Sequence, residues 1–299
     1  MEYESLTELN IQKVHELFNI NEAFYYIPLD YFKKGTLEDE DFDPDLTLIL
    51  NDPQKEYPIA ALIAVNRENN CCIKVFIMDN AFRRQGIGSN MLKELINRAK
   101  DKDIPLMSYG DCPPNYWQPG VDLRHTSLYF LLKKFRFKPR DTRYNLTAPL
   151  AKLNIRPLSE KEGITFERVR PEEFEVTYSF VKNTFPRNPS WAEELKLSYE
   201  RSPPTSFIAK NEEGQVIGWA SHSVQFPGSF GPTGVKFSLH GQGIGGELLN
   251  WCLWDIKQLG LENCTIMWVN GQTIKFYSKT IGAYIHPVFT TMSKKLRKK

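Results

Sequence analysis

The 299-residue sequence is short of the features that would place it in several common classes. Its five cysteines (Cys71, Cys72, Cys112, Cys252 and Cys264) are odd in number, form no CxxC and mostly lie in apolar runs. They read as small buried thiols of a reducing compartment, and no metal site is expected from them. No apolar run approaches the roughly 20 residues of a membrane span. The polar, acidic start MEYESLTELN is unlike a secretory signal. Charge is nearly balanced, 38 Lys and Arg against 36 Asp and Glu, so there is no basic field to draw nucleic acid. The expectation is a cytoplasmic enzyme or binding protein with no membrane and no nucleic-acid partner. With 41% hydrophobic and 25% charged residues the composition is that of a globular chain with apolar material for two cores.

What is present is a repeat. Arg83-Arg84-Gln85-Gly86-Ile87-Gly88-Ser89 recurs as His240-Gly241-Gln242-Gly243-Ile244-Gly245-Gly246. Each copy follows an apolar run and opens an amphipathic helix. The apolar positions Ile87, Met91, Leu92, Leu95, Ile96 and Ala99 correspond to Ile244, Leu248, Leu249, Cys252, Leu253 and Ile256, every pair 157 residues apart. Their spacing is one face of a 3.6-residue period. An identical turn with an identical buried face indicates duplication of about half the chain. Strand, glycine-rich turn and helix N-terminus together make an anion cradle: glycine lets the backbone approach, and the free N–H groups of the first helical turn hold negative charge.

The flanking patterns predict the same element order twice, in domains 1–150 and 151–299. In the first, a strand near Glu4–Leu9 and a helix through Val14, Leu17, Phe18 and Ile20 lead to an acidic stretch, Glu38–Asp45. That stretch reads either as a solvated linker or as a negative rim for a cationic amine. A hairpin (Asp45–Leu50, Ile59–Val65), the strand Cys71–Met78, the turn and its helix follow. Then come a strand at Ile104–Tyr109, an irregular loop around Tyr116 and Trp117, a helix at Thr126–Lys134 and closing strands over Phe135–Leu146. The second half repeats this from Ile164. It has the strand Thr233–Leu239 before its turn, Cys264–Val269 and a helix at Gln272–Thr280 after it, and Tyr284–Ser293 as the closing strand. The basic end, KKLRKK, reads as a frayed tail.

This order and the motif [Q/R]-x-x-G-x-[G/A], met in full by Arg83, Gly86 and Gly88 and in all but its first residue by His240, Gly243 and Gly245, resemble the GCN5-related N-acetyltransferase (GNAT) family. The segment Lys275–Ala283 (KFYSKTIGA) resembles the family's FYxKxG[FA]. The whole resembles a bacterial tandem-GNAT protein. The resemblance implies an α/β (α+β) fold of two tandem domains, each a mixed, mostly antiparallel twisted sheet flanked by helices. It implies acetyl-CoA as co-substrate, bound by Arg83–Ser89 and His240–Gly246, with Asn270 ending the next strand of the second half. Backbone N–H groups near Met78 and Val235 would polarise the thioester carbonyl, and Tyr277 would be the acid that protonates the thiolate. The implied reaction is N-acetylation of a primary amine, on a small molecule or a peptide N-terminus, by a monomer or homodimer. Alignment of Arg136 with Gly282 sets Leu132 against Tyr277, and the first-half loop is eleven residues longer. These opposite departures leave a second reading open, an acyl-CoA-binding or sensing protein with one or both domains degenerate. Tyr116 and Trp117 could wall an acceptor pocket or pack over a domain interface. The general base is undecided among Asp79, Asp111, Asp122, His125 and His222.

Overall fold

A computed structural model of the chain describes residues 2–296. The chain forms two compact units, one taking the residues up to Arg143 and again from Val288 on, the other taking Tyr144–Pro287.

The first unit begins with α1 (Ile11–Asn21) and α2 (Leu29–Gly35) and continues through β1 (Phe42–Leu50), β2 (Ala60–Arg67) and β3 (Asn70–Met78) to α3 (Ile87–Asp101). It goes on with β4 (Leu106–Tyr109), β5 (Val121–Asp122), α4 (Thr126–Lys134) and the start of β6 (Lys138–Pro149). The second unit contains the end of β6, then β7 (Glu160–Lys161), β8 (Ile164–Arg168), α5 (Phe174–Thr184) and α6 (Ser190–Tyr199). These are followed by β9 (Ser206–Lys210), β10 (Val216–His222), β11 (Ser229–Val235), α7 (Ile244–Gln258), β12 (Asn263–Val269), α8 (Gly271–Ile281) and the start of β13 (Tyr284–Lys295).

Each unit is a mixed sheet flanked by helices. β1, β2 and β3 are antiparallel, and β4 joins β3 in parallel. In the second unit β8, β9, β10 and β11 are antiparallel, and β12 joins β11 in parallel. The helix faces behave as their periodicity dictates. All six apolar positions of α3 and all six of α7 are buried, packed in the first unit against Leu48, Leu62 and Ile73 and in the second against Phe207, Ala220 and Phe230. The glycine before each helix, Gly86 or Gly243, has φ +84° or +80°, a conformation that favours glycine and aims the chain directly into the helix.

Two local expectations change. The stretch Glu4–Leu9 forms only a bridge from Glu4 to Ile49. The strand expected at Thr233–Leu239 lies at Ser229–Val235, because residues Phe237–Leu239 close a 3₁₀ turn on which the chain bends into the glycine-rich loop. Between α1 and the acidic stretch the short helix α2 follows Pro28 and carries Asp30 in its first turn.

The closing strands are exchanged. Met292, Ser293, Lys294 and Lys295 of β13 pair antiparallel with Tyr109, Ser108, Met107 and Leu106 of β4, so the sheet of the first unit ends on residues from the far end of the chain. Conversely Tyr144–Pro149 of β6 pair with β12 in the second unit. Met292 and Leu296 are buried in the first core, Leu146, Ala148 and Leu150 in the second. Residues 297–299 of the basic end lie outside the described residues. Among the described residues no helix is long and apolar enough to cross a membrane.

Candidate active site

In the first unit β3 and β4 start together and part. The register runs from Asn70 opposite Leu106 to Ile73 opposite Tyr109, with Gly110 N–H closing on Ile73 O at 2.9 Å. Beyond that point Lys74–Met78 has no partner on β4. The other edge of β3 shows which groups face the gap. Asp79 N–H bonds Ile59 O at 2.9 Å, and the two-residue alternation of an antiparallel ladder then turns the Met78 N–H away from β2, into the opening. The second unit has the same construction. β11 meets β12 only at Ser229 and Phe230, and Lys236 N–H bonds Ile217 O at 2.9 Å, which turns the Val235 N–H outward.

At the mouth of each opening stands the glycine-rich turn. Asn90 N–H to Gly86 O (3.1 Å) and Glu247 N–H to Gly243 O (3.1 Å) are the first bonds of α3 and α7. The N–H groups ahead of them lie free for an anion, and no side chain caps either helix. Arg84 and Gly241 hold the same left-handed conformation, φ +62° and +88°. Ile87 and Ile244 are buried in the cores, so only their backbone serves the turn. Gln85 Nε2 donates to Ala81 O at 3.1 Å. Lys134 Nζ comes within 3.5 Å of Ser89 Oγ and adds charge beside the turn. In the second unit Lys161 Nζ reaches the turn at Gly243.

The first motif residue has a structural task. The Arg83 guanidinium donates to Met78 O (3.1 and 3.2 Å) and to Asn21 O (3.2 Å), tying the end of β3 to the end of α1. His240 Nε2–H donates in the same way to Val235 O at 3.1 Å. Histidine therefore keeps the strand-end tether that arginine makes, and what it gives up is the further bond to the end of the first helix.

A cleft of about 560 Å³ in the first unit joins these parts. It runs from Gly86 and Ser89 along Phe76–Met78 to Tyr109 at the apex, and is walled by Glu22–Phe24 after α1 and by Arg124–Leu128 at the start of α4. Two polar groups stand near its inner end, the first of them behind the cleft wall and reaching it through Arg124. Asp122, fully buried, accepts from Arg124 Nε (3.0 and 3.1 Å) and Nη2 (2.6 Å) and from the Tyr25 hydroxyl. Burial would raise its pKa, but the bonds from Arg124 and Tyr25 outweigh that and hold it below the usual range. The Arg124 guanidinium lies 4.0 Å from the Phe24 ring centroid, a cation–π contact. The second group is Glu22 with His125: Glu22 Oε1 is 3.1 Å from His125 Nε2 and accepts the Phe24 N–H at 3.0 Å. Burial, then the carboxylates of Glu22 and Asp122, push the Tyr109 hydroxyl well above its ordinary pKa.

The other candidate bases have structural partners. Asp79 accepts the Ala81 N–H at 2.8 Å and pairs with Lys55 at 3.5 Å. Asp111 is on the surface of the loop, outside the cleft. His222 is buried, with Nε2 2.9 Å from Asp255 Oδ2. The acidic stretch also forms internal pairs: buried Asp39 holds Arg67 (2.5 Å) and Lys74, and Asp43 and Asp45 hold Lys102 (2.9 and 2.8 Å). Trp117 stacks on Phe32 at 5.4 Å and 12° and sits over Gly35, so it belongs to the packing of α1 and α2 rather than to a pocket wall.

In the second unit Tyr277, on α8, is buried edge-on to Phe230 at 5.9 Å, at the point where β11 and β12 part. Burial raises its pKa, so it stays protonated. Asn270 caps α8 in a reciprocal pair with Thr273. Arg136 and Gly282 share a left-handed conformation after their helices (φ +65° and +63°), and five residues back from each stand Leu131 and Tyr277. Leu131, which faces the cleft, is thus the counterpart of Tyr277, in place of the Leu132 expected from the sequence, which is buried in the core. The first unit also has Glu22 as the residue ending its 11-residue α1, where the second has Phe185 ending its 11-residue α5. A Cβ built on Gly234 of β11 would lie 2.3 Å from the Phe185 ring, so phenylalanine covers the strand there.

Parted parallel strands, a glycine-rich turn on a helix N-terminus and an outward N–H at the strand end together make a seat for an extended ligand with an anionic end. The sequence matches the Acetyltransferase (GNAT) family over residues 12–115 and again over 169–283, and the chain belongs to that family. Among solved structures it is similar to a GCN5-related N-acetyltransferase from Sphaerobacter thermophilus, with TM-score 0.71 and 17% identity over 99% of this chain and 96% of that one. It is also similar to a tandem GNAT protein from the clavulanic acid biosynthesis pathway, with TM-score 0.73 and 12% identity over 100% and 99%. A third likeness is to the GCN5-related glucosamine N-acetyltransferase region of a fungal multi-domain protein (TM-score 0.72, 17% identity); it takes in 98% of this chain but only 38% of that longer one. At these identities the likenesses establish the fold. No curated protein sequence matches the chain.

Proposed function

We propose that the protein is an N-acetyltransferase that passes an acetyl group from acetyl-CoA to a primary amine by direct attack, and that the first unit holds the working site. The observation that carries this is the single cleft of about 560 Å³ joining the glycine-rich turn, the free edge of β3 and the polar inner end. The N–H groups of the turn, with Arg84 and Lys134 near them, hold the pyrophosphate. The pantetheine arm lies along the β3 edge as an added strand, and the Met78 N–H polarises the thioester carbonyl. The acceptor is a small-molecule amine or a peptide N-terminus entering along the cleft wall that Phe24 and Arg124 form together.

The second unit keeps the turn, but Phe185 covers Gly234. This favours a degenerate second unit that leaves acetyl-CoA to the first, and there Tyr277 serves packing.

Calorimetric titration of acetyl-CoA into the wild type, Gly88→Trp and Gly245→Trp tests the reading. At both sites the added Cβ has only ordinary contacts, the nearest 3.4 Å at Gly88 and 3.7 Å at Gly245, and neither φ is positive. The ring therefore fills the opening without straining the backbone. Loss of binding in Gly88→Trp alone is the expected result. Loss in Gly245→Trp alone transfers the site, and Tyr277 with it, to the second unit. Absence of heat in the wild type refutes the proposal.

A further inference from the structure

Several carboxylates inside this protein are committed to cations, while buried Glu194 and Glu247, away from the cleft, are held by neutral hydrogen-bond donors. Asp39 faces Arg67 and Lys74, Asp122 faces Arg124, Asp255 faces Arg168, and Glu173 faces Arg170 and Lys210. A carboxylate gripped by a guanidinium is a poor proton acceptor, because protonation would leave the cation uncompensated. Glu22 differs. Its side chain is only 6% exposed, it lines the cleft, and its neighbours are a histidine and a backbone N–H. It stands on the same inner wall as Tyr109, where the strands part.

We infer that Glu22 is the catalytic base of the first unit; this rests on the acetyl-transfer reading. The Glu22 carboxylate takes one proton from the acceptor's ammonium group and frees the nitrogen lone pair. The C–N bond forms and the C–S bond breaks. The remaining surplus proton on nitrogen leaves with the departing thiolate, which becomes the CoA thiol, and Glu22 returns its own proton to solvent. The proton count closes without a donor on α4, where the first unit has Leu131. The charged and titratable groups around Glu22 are His125 on α4, Tyr109 on β4, the Asp122–Arg124–Tyr25 cluster and Arg83, which holds the carbonyl of the preceding Asn21. Phe185, at the matching place in the second unit, cannot accept a proton. Glu22 therefore also accounts for why one unit would work and the other would not.

The test compares the wild type with Glu22→Gln in two measurements: acetyl-CoA binding by calorimetry, and CoA release across the pH range with a panel of an amino sugar, an aliphatic amine and a short peptide with a free N-terminus. The expected result is unchanged acetyl-CoA binding with kcat lower by about 10²-fold or more and loss of the acid limb of the kcat/KM profile. Wild-type kcat in Glu22→Gln, or an acid limb that survives in it, overturns the inference while leaving the acetyl-CoA reading intact. So does a wild type that binds acetyl-CoA and turns over none of the panel. A wild type that binds no acetyl-CoA removes the reading itself. Should Glu22→Gln fail to fold, Glu22→Asp decides: retained binding with a reduced kcat supports the base, and undiminished kcat with the carboxylate withdrawn overturns it.

Discussion

Met292→Ala changes a residue near the end of the chain, yet its effect should fall on the first unit. Met292 is 1% exposed, sits in the core with Met91, Leu95 and Met107, and pairs with Tyr109 at the apex of the cleft. Truncating a buried methionine to alanine costs about 2–5 kcal/mol, through lost transfer energy and the cavity left behind. A domain has about 5–15 kcal/mol in total, so the loss is a large share for the first unit. At about 1.4 kcal/mol per tenfold, amides that exchange only on opening of that unit should exchange at least about 30-fold faster. Peptide-resolved hydrogen exchange reads this. Cys71–Ile73 and Leu106–Tyr109 should lose protection, and Cys264–Val269 should keep it. Acetyl-CoA affinity should fall as well, because β4 forms one wall of the opening. Faster exchange confined to Cys264–Val269 would refute the exchange of closing strands and the argument built on it.

Other expectations concern charge and backbone. Glu194 is buried on α6, and burial, against hydrogen bonds from Ser190 and Gln225, raises its pKa to about 8. The folded protein then binds a proton that the unfolded chain releases at its ordinary, lower pKa. Stability should decline as pH rises from there towards 8, and Glu194→Gln should flatten the decline in chemical denaturation. Asp255 is the opposite case. Burial would raise its pKa, but hydrogen bonds from His222 and Arg168 lower it to about 2. Because burial lowers the pKa of His222 and keeps it uncharged near neutrality, Arg168 supplies the compensating charge there. The stabilisation is complete above the unfolded carboxylate pKa and is lost as pH falls through about 2. Asp255→Asn should remove that part of the acid transition and destabilise the protein at neutral pH, leaving Arg168 without its partner. Gly110→Ala should lower the melting temperature and weaken acetyl-CoA binding together. Gly110 has φ +62°, and its Cβ would stand 2.6 Å from Gln118 O, so the long loop would have to move off the apex of the cleft.

The two glycine-rich turns, the buried faces of α3 and α7, the strand at β3 and the family were all legible in the sequence. Each depends on a conformation or a period set within a few residues: a left-handed glycine, a 3.6-residue spacing, an apolar run ending at a turn. The candidate site was legible only along that stretch. Its inner end was not, because Glu22, Tyr109, Asp122 and His125 come from four separate elements, and no spacing in the chain relates them. Glu22 had one weak signal, an acidic residue closing a helix that aligns with the helix ending in Phe185. Asp39 and Trp117 were open between two uses each. Arg67, Lys74, Phe32 and Gly35 decided them, through contacts with no trace in the local pattern. The closing strands show the same division. Their β character follows from composition, but which sheet they complete depends on which unpaired edge, β4 or β12, each one meets. The sequence alone determined that the chain holds two copies of a phosphate turn on a strand and a helix, because those conformations are local. Only the tertiary structure decided that the first copy lines a cleft together with Glu22, and that β13 and β6 trade places, because side chains and strand edges distant in sequence compete for the same partners.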